Sequence, residues 1–402
     1  MVPNGWEIRS ISDIAEVKGG KRLPKGFTLQ SLENGHPYIR VTDMFDGGVS
    51  LDSIQYVPEG AVSAITRYKI STKDIFITVA GTLGMVGIIP EQLEGANLTE
   101  NADKLTNLKV DQGFLLEMLR SPLVQNHIDA EKTTNAQPKL ALTRIKGFKI
   151  PVPPLPEQRK IAKILSTWDK AISTTEKLIE TSKQQKKALM QQLLTGKKRL
   201  VNPETGKVFE GEWEELKVSQ FGKVVTGNTP PKNDDSNYGS DISWATAEDF
   251  KGKYVGNTRV KLTKSGASKA RIVPKGSVLV TCIASIGKNA IARESITTNQ
   301  QINAVIVNDE HCNEFFYYQI EFNKHKLNAW AGTTAVPILN KSSFEKIPLS
   351  APSKNEQQKI ASVLTAADKE IEVLEAKLVH LKQEKKALMQ QLLTGKRRVT
   401  LE

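Results

Sequence analysis

The chain has 402 residues, of which 39% are hydrophobic and 25% are charged. This balance is typical of globular proteins and excludes a disordered or fibrous chain; the length predicts two or three domains. Two cysteines make no disulfide framework. The N-terminus lacks an apolar signal core, and the longest uncharged apolar stretch, residues 75–90, is broken by glycines, so we expect a cytoplasmic protein without a membrane span. The net charge of +12 favours a polyanionic partner.

Residues 1–152 form the first predicted globular segment. Short β-branched runs at 75–79 and 86–89 lie between glycine turns, and a helix is predicted at 112–130. These patterns favour an α/β or α+β fold with a mixed, twisted sheet. An acid-free group of cations after a Gly-Gly pair and two polar turns can contact nucleic acid. The candidate DNA-binding residues of this segment are Lys18, Lys21, Arg22, Lys25, Arg40, Thr42 and Thr82.

Residues 153–200 follow a proline-rich hinge and are predicted to form a long helix. Apolar residues recur at alternating steps of four and three, which is the signature of a coiled coil. From residue 157 to residue 195 the helix would be about 58 Å long at 1.5 Å per residue, and Gly196 predicts a left-handed cap at its end. The coiled-coil seam predicted in this helix consists of Ile161, Leu165, Trp168, Ile172, Ile179, Leu189 and Leu193.

Residues 201–352 resemble the first segment weakly. Trp213-Glu214 matches Trp6-Glu7, and Thr333-Thr334…Pro337 matches Thr133-Thr134…Pro138. We therefore expect the same fold with a divergent surface. Strands are predicted at 277–283 and 302–307, and a helix at 313–329.

The most basic stretch of the second segment is 251–275, which contains eight Lys or Arg residues and no acid. Its cations can neutralise phosphates, and its amide and hydroxyl side chains can contact base edges. An ordinary solvated hairpin is the alternative. The candidate DNA-binding residues of this segment are Asn228, Thr246, Asn257, Arg259, Lys261, Lys264, Lys269, Arg271, Ser285 and Lys288.

Residues 353–402 repeat the first helix. Residues 157–200 return as 356–399 without a gap, and 25 of the 44 positions are identical; a repeat this long means two complete units. The second segment must leave the end of one helix and return to the start of the other, so we predict an antiparallel pair with one globule at each end, related by a pseudo-twofold axis. The seam predicted in the second helix consists of Ile360, Leu364, Ile371, Leu374, Leu378, Leu381, Leu388 and Leu392.

A second apolar stripe runs beside the seam in both helices. It consists of Ile164, Leu178, Met190, Leu194, Val363, Val373, Met389 and Leu393. We interpret this stripe as a docking surface for another protein; the alternative is that it packs on the chain's own globular segments. The excess of Lys and Arg on the helices, +7 for residues 151–200 alone, can meet either phosphates or acidic partners.

Signatures of catalysis are absent from the sequence. It contains no phosphate-binding GxxxxGK[ST], no HExxH and no methyltransferase NPPY motif, and its five histidines are scattered without metal-ligand spacing. We therefore predict no catalytic residue and no metal site in this chain.

The order globule, helix, globule, helix resembles the specificity subunit of type I restriction-modification systems over essentially the whole chain. The specific segments are PLPEQRKIA at 154–162 and LLTGK at 193–197 and 392–396. The resemblance implies that residues 1–152 and 201–352 are target recognition domains, each reading one half of a bipartite site in double-stranded DNA. It also implies that the conserved helices, 153–200 and 353–402, set the length of the DNA spacer between the two half-sites, whose bases are not read.

The same resemblance implies partners and assigns all cofactors to them. Two modification subunits would bring S-adenosylmethionine and the adenine-N6 methyltransferase site, and two restriction subunits would bring ATP, Mg²⁺ and the nuclease. This chain would bind no cofactor and catalyse nothing.

Two other hypotheses remain at this point: a structural scaffold whose globules bind protein, and a self-sufficient enzyme. Reversing the charges of Arg259, Lys261, Lys264 and Arg271 would separate DNA reading from a scaffold role, because only a DNA reader would lose methylation at its site. The first segment is neutral overall, with 17 basic and 17 acidic residues in 1–150. We therefore expect the isolated chain to bind DNA weakly.

Overall fold

A computed structural model describes residues 2–130, 139–332 and 336–401. Contacts divide the chain into a first unit, Met1–Glu176 with Ala376–Glu402, and a second unit, Lys177–Glu375. This division cuts through both long helices, because each helix packs into both units, and it therefore differs from the four segments predicted above. Most of the matching Thr-Thr…Pro sequences, including Pro138, lie outside the described residues.

The first unit is built from short strands and helices. Its strands are β1 (Glu7–Ser10), β2 (Glu16–Gly19), β3 (Pro37–Ile39), β4 (Met44–Phe45), β5 (Gly48–Val49), β6 (Gln55–Tyr56), β7 (Ile75–Thr78), β8 (Val86–Gly87), β9 (Asn97–Leu98), β10 (Ala102–Thr106) and β11 (Lys149–Val152). Its short helices are α1 (Ile11–Ile14), α2 (Glu59–Ile65), α3 (Gln112–Arg120), α4 (Pro122–Ala130) and α5 (Leu142–Gly147). One sheet has the order β2-β10-β7-β8, and another has the order β6-β3-β9.

The long helix α6 (Leu155–Leu193) leads from the first unit into the second. The strands of the second unit are β12 (Glu214–Lys217), β13 (Gly222–Thr226), β14 (Tyr238–Gly239), β15 (Ile242–Ala245), β16 (Tyr254–Val255), β17 (Val260–Leu262), β18 (Ile272–Val273), β19 (Val278–Thr281), β20 (Asn289–Ala292), β21 (Ile296–Thr298), β22 (Ile302–Val307) and β23 (Pro348–Ala351). Its helices are α7 (Val218–Phe221), α8 (Lys264–Ser268), α9 (Asn313–Phe322), α10 (Lys324–Ala329), α11 (Lys341–Glu345) and the long α12 (Lys354–Leu392).

The second unit repeats the architecture of the first. The sheet β13-β22-β19-β20-β16 corresponds to β2-β10-β7-β8, and the sheet β14-β17-β15-β21-β18 corresponds to β6-β3-β9. Both units combine parallel and antiparallel pairing, since β3 runs parallel to β9 and β15 runs parallel to β21. The predicted mixed α/β (α+β) class, with two similar globular domains, is confirmed.

The two long helices pair antiparallel inside each unit. In the second unit Lys183 pairs with Glu375 (2.7 Å) and Arg199 with Glu356 (2.6 Å). In the first unit Lys382 pairs with Glu176 (2.7 Å) and Arg398 with Glu157. In both units, pairs that lie later along the first helical segment lie earlier along the second. The two segments therefore run antiparallel, as predicted.

These ion pairs also account for part of the basic surplus of the helices. Lys385 lies 2.7 Å from Asp169, and the equivalent Lys186 contacts Asp368. The cations on the faces where the two helices meet therefore stabilise the helix pair itself. This role differs from the two open interpretations, phosphates and acidic partners, for those residues.

The predicted seam is covered along its length, and each of its residues is buried or half-buried. The docking interpretation of the second stripe is wrong for most of its members. Met389 and Leu393 belong to the core of the first unit, with Ile164 packed against it. Met190 and Leu194 belong to the core of the second unit, with Val363 packed against it. Leu178 and Val373 remain exposed.

Two predicted helices and one alternative interpretation need correction. The helix predicted at 112–130 is two helices, because Pro122 cannot continue the hydrogen-bond ladder of α3; the helix predicted at 313–329 is likewise divided, at Asn323. The basic stretch 251–275 is not a hairpin. It contributes β16 to one sheet and β17 and β18 to the other, with α8 between them. Among the described residues, no helix is long and apolar enough to cross a membrane.

Candidate nucleic-acid interface

In each unit several of the polar candidates lie near the point where two parallel strands end. The carboxyl ends of β3 and β9 meet near residues 40 and 99, and those of β15 and β21 meet near residues 246 and 299. Loops that follow parallel strands collect at one sheet edge, which is the usual place for ligand contacts in mixed sheets. We call this region the carboxyl edge of each unit.

In the first unit the chain crosses the carboxyl edge directly after β2. The Lys21 amide donates to the carbonyl of Leu98 (2.8 Å). A Cβ on Gly20 would lie 2.0 Å from the carbonyl oxygen of Thr99, so only glycine permits this crossing. The crossing holds the Lys21 ammonium 5.7 Å from the centre of the Tyr68 ring. It also holds Arg22, whose side chain is 78% exposed, with Nε 2.5 Å from Glu100.

The second unit repeats this crossing with different side chains. The Asn228 amide donates to the carbonyl of Thr298 (2.9 Å), and a Cβ on Gly227 would lie 2.2 Å from the carbonyl oxygen of Asn299. The position of Arg22 is taken by Thr229, whose hydroxyl donates to Gln300 Oε1 (2.5 Å). An Arg–Glu pair at one edge therefore corresponds to a Thr–Gln pair at the other.

Many of the predicted DNA-binding side chains are exposed and project into solvent. Lys18 and Arg259 also make exposed ion pairs, with Glu16 (2.7 Å) and Glu248 (3.1 Å) respectively, and such pairs contribute little to stability. The exposed members of the predicted set are Lys18, Lys21, Arg22, Lys25, Thr42, Thr82, Asn257, Arg259, Lys264, Lys269, Arg271 and Ser285, and Lys261 is half-buried.

Four predicted DNA-binding residues instead hold the edge together. Arg40 binds Asp43 through two nitrogens (3.0 and 2.6 Å) and donates to the Ser53 carbonyl. Lys288 donates to the Ala247 carbonyl (2.6 Å). The fold therefore gives both side chains internal partners, and their contact with DNA stays a prediction.

The other two internal supports are Asn228 and Thr246. The Asn228 side chain donates to the Lys269 carbonyl (2.8 Å) and accepts from the Arg271 amide (2.9 Å). Thr246 donates to Asp249 (2.9 Å), which closes a short 3₁₀ turn. Asn228 thereby places the backbone of Lys269 and Arg271 at the edge, and Arg271 Nη1 is held by the Thr226 carbonyl (2.8 Å).

The residues missed from the sequence are Tyr68, Glu100, Thr229 and Gln300. Glu100 and Gln300 lie just after β9 and β21, so their position after a strand was the available signal. A glutamine amide can bind adenine through two hydrogen bonds, and an arginine can bind guanine in the same way. The two edges therefore present different hydrogen-bonding chemistry.

One buried acid lies beside the first edge. Burial raises the pKa of Asp103 on β10 to about 6, against the opposing charge of Lys139. The equivalent position on β22 is Asn303, which accepts from the Thr226 hydroxyl (2.6 Å). Across the described residues, no group of three or more His, Cys, Asp or Glu side chains is arranged to hold a metal ion.

Comparison with known proteins places these features in a family. The model of the type I restriction modification DNA specificity domain matches residues 3–183 and 210–383. The putative type I restriction enzyme MjaX specificity subunit of Methanocaldococcus jannaschii is 28% identical over 416 residues, covering 99% of this chain and 95% of that protein. The MjaVIII specificity subunit of the same organism is 26% identical over 435 residues, covering 99% and 94% respectively.

Solved structures share the fold over nearly the full length. The S subunit of a type I restriction-modification system from M. genitalium has a TM-score of 0.62 at 16% identity, covering 98% of both chains. The HsdS subunit of Thermoanaerobacter tengcongensis has a TM-score of 0.51 at 17% identity, also covering 98% of both chains.

Proposed function

This chain belongs to the type I restriction-modification DNA specificity family, and we propose that each of its carboxyl edges reads one half of a bipartite DNA site. Its general role is DNA sequence recognition within a type I system. The finer proposal is that the first unit reads one half-site and the second unit reads the other, with no chemistry performed by this chain. Modification subunits would supply S-adenosylmethionine and the methyl transfer to adenine, and restriction subunits would supply the ATP- and Mg²⁺-dependent steps.

One observation carries the assignment to the edges. The same glycine crossing occurs in both units, but the side chains it presents differ: Arg22 with Glu100 in one, and Thr229 with Gln300 in the other. A shared scaffold with exchanged hydrogen-bonding groups is what two related but different half-sites require. The cations nearby, such as Lys21 and Arg271, supply phosphate contacts.

The paired helices support the proposed spacer role. Helices α6 and α12 contain 39 residues each, which corresponds to about 58 Å. Half-site centres one helical turn apart on B-DNA are separated by about 34–36 Å. A helix pair of this length is sufficient to span that distance, and its buried ion pairs fix the register between the two helices.

The test exchanges the chemistry of one edge. Arg22→Thr with Glu100→Gln gives the first unit the pair found in the second, while the glycine crossing stays intact. The full chain and its modification subunit are expressed in a host, and methylated adenines are mapped across the genome. The expected result is a changed or lost base preference in one half of the methylated motif, with the other half and the spacer unchanged.

A matched control removes an exposed ion pair elsewhere in the same unit. Arg9→Ala with Glu7→Gln deletes the pair on β1, whose atoms lie 2.6 Å apart, and should leave the motif unchanged. If the edge exchange also leaves both half-sites unchanged while the protein remains folded, the edge is not the reading surface. Normal assembly without any effect on methylation would favour the scaffold hypothesis.

A further inference from the structure

The first unit contains an open cavity that the second unit fills in part with its own side chains. A smaller cavity of about 530 Å³ remains in the second unit beside Lys183, Lys186, Lys187 and Met190. The cavity of the first unit has a volume of about 910 Å³ and opens between α3, α6, α12 and the turn before β5. Its apolar lining includes Ile88, Leu116, Ile172 and Met389, and Phe45, which is 53% exposed, stands at its rim. Because every lining residue belongs to the first unit, the cavity is a property of that unit alone.

Backbone contacts establish which residues of the second unit are equivalent. The Ile88 amide donates to the Gly47 carbonyl (3.4 Å), and the Ile291 amide donates to the Lys253 carbonyl (2.8 Å), so Gly47 corresponds to Lys253 and Gly48 to Tyr254. At the start of the helices, Asp111 and Cys312 both donate their amides to a glutamine of the long helix (2.8 and 2.9 Å). Gly113 therefore corresponds to Glu314, and Leu116 to Tyr317.

In the second unit these positions are occupied by a packed network. The Lys253 ammonium lies 4.8 Å from the Tyr318 ring and 5.8 Å from the Tyr317 ring, and it donates to Thr365 (2.6 Å). It also lies 3.3 Å from the Glu314 carboxylate, and Tyr254 donates to the same carboxylate. Three glycines and a leucine in the first unit replace a lysine, a glutamate and two tyrosines, which leaves this part of the space open.

The charged side chains around the cavity favour a partner segment that carries acidic residues. Each lining carboxylate already has a cation: Asp169 lies 2.7 Å from Lys385, Glu117 lies 2.8 Å from Arg120, Asp46 lies 2.7 Å from Arg120, and Glu176 lies 2.7 Å from Lys382. At the rim, Lys170 and Lys386 are exposed and make no ion pair with a residue in the described ranges. The opening is therefore basic, whereas its floor is apolar.

We propose that this cavity receives an aromatic side chain from an acidic segment of a partner protein, and that it makes the two units unequal as docking sites. The tyrosines of the second unit indicate the kind of group that fits this space, because they fill it there. The floor of the cavity is apolar, and its carboxylates are already paired with cations of this chain. Such a surface is better suited to an apolar side chain of a protein than to the phosphate backbone of DNA. The inference rests on the proposed function, in which the partner is the modification subunit.

The experiment titrates the full chain with its modification subunit and resolves the two binding steps by native mass spectrometry and calorimetry. Wild type should bind the first copy at least about tenfold more tightly than the second. Leu116→Trp fills the cavity, and Phe45→Ala removes the rim aromatic without disturbing the core. Each should weaken the tighter step about tenfold or more and leave the weaker step unchanged.

The control is Leu51→Ala, which removes another exposed apolar side chain of the first unit outside the cavity and should change neither step. Equal affinities in wild type, an unchanged tighter step in Phe45→Ala, or equal weakening of both steps would each overturn the inference. Loss of DNA binding with normal partner binding would assign the cavity to DNA and also overturn it. Unequal binding that persists without any bipartite methylation would contradict the proposed function and leave this inference standing.

Discussion

Arg199→Ala tests the buried ion pair that joins the segment just after α6 to the first turn of α12 in the second unit. Arg199 contacts Glu356 through Nε (2.7 Å) and Nη2 (2.6 Å) and also donates to the Gly211 carbonyl (2.9 Å). The Glu356 side chain is 1% exposed, so the variant leaves a buried carboxylate without its cation. Removing one partner of a buried pair costs about 3–5 kcal/mol.

The expected loss is smaller, about 2–3 kcal/mol, for two reasons. The Arg199 side chain is 22% exposed and therefore partly screened, and Glu356 lies in the first turn of α12, where the helix dipole stabilises a carboxylate by about 0.3–1 kcal/mol. For a unit of this size, the melting temperature should fall by about 4–12 °C.

The assay is urea denaturation of the full chain combined with hydrogen exchange, which assigns the loss to particular segments. Exchange should accelerate in peptides of the second unit and stay unchanged in peptides around the equivalent pair, Arg398 with Glu157, in the first. Lys198→Ala, at an exposed neighbour, is the control and should cost less than about 0.5 kcal/mol. A loss for Arg199→Ala no greater than that of Lys198→Ala would refute the reasoning.

Three further predictions follow from single residues. Between about pH 4 and pH 6 the folded state keeps the Asp103 proton that the unfolded state releases, so the free energy of unfolding should fall as pH rises through this window; Asp103→Asn should remove that slope and add about 1–3 kcal/mol at pH 8. An unchanged slope in denaturation curves at pH 4.5 and pH 8 would contradict this. Lys253→Met should destabilise the second unit by about 2–3 kcal/mol because it leaves Glu314 without its cation, and exchange data showing no change near α9 would count against that role. Gly20→Ala should destabilise the first unit by more than about 2 kcal/mol because its Cβ would overlap the Thr99 carbonyl; a melting curve like that of wild type would be the opposite result.

The sequence predicts the helices and their pairing because both follow from local periodicity and from an exact offset between repeats. The seam from Ile161 to Leu193 and the cap at Gly196, which has a φ of 69°, were readable in this way. Connectivity alone then decided the antiparallel direction, since the second segment must return to the start of α12.

The site was less predictable because side-chain roles depend on partners that the sequence pattern does not reveal. Arg40, Asn228, Thr246 and Lys288 have the right chemistry for DNA, but the fold supplies each with an internal partner. The docking role predicted for the second apolar stripe was wrong for a similar reason, since Met190 and Met389 are buried in the globular cores.

The cavity was also not predictable from the sequence. Gly47 and Gly113 look like ordinary turn and helix glycines in the sequence, and their meaning depends on Lys253 and Glu314 at the equivalent positions of the other unit. A weak internal repeat shows which domains are alike, but only contacts show which positions within them correspond.

The most direct test of the account is a genome-wide map of methylated adenine in a host that expresses the modification subunit with and without this chain. The account predicts one bipartite motif, with two defined halves separated by a gap of fixed length and no base preference, that disappears entirely when the chain is absent. A continuous motif, or a motif that persists without the chain, would contradict the claim that two related units each read half of the site.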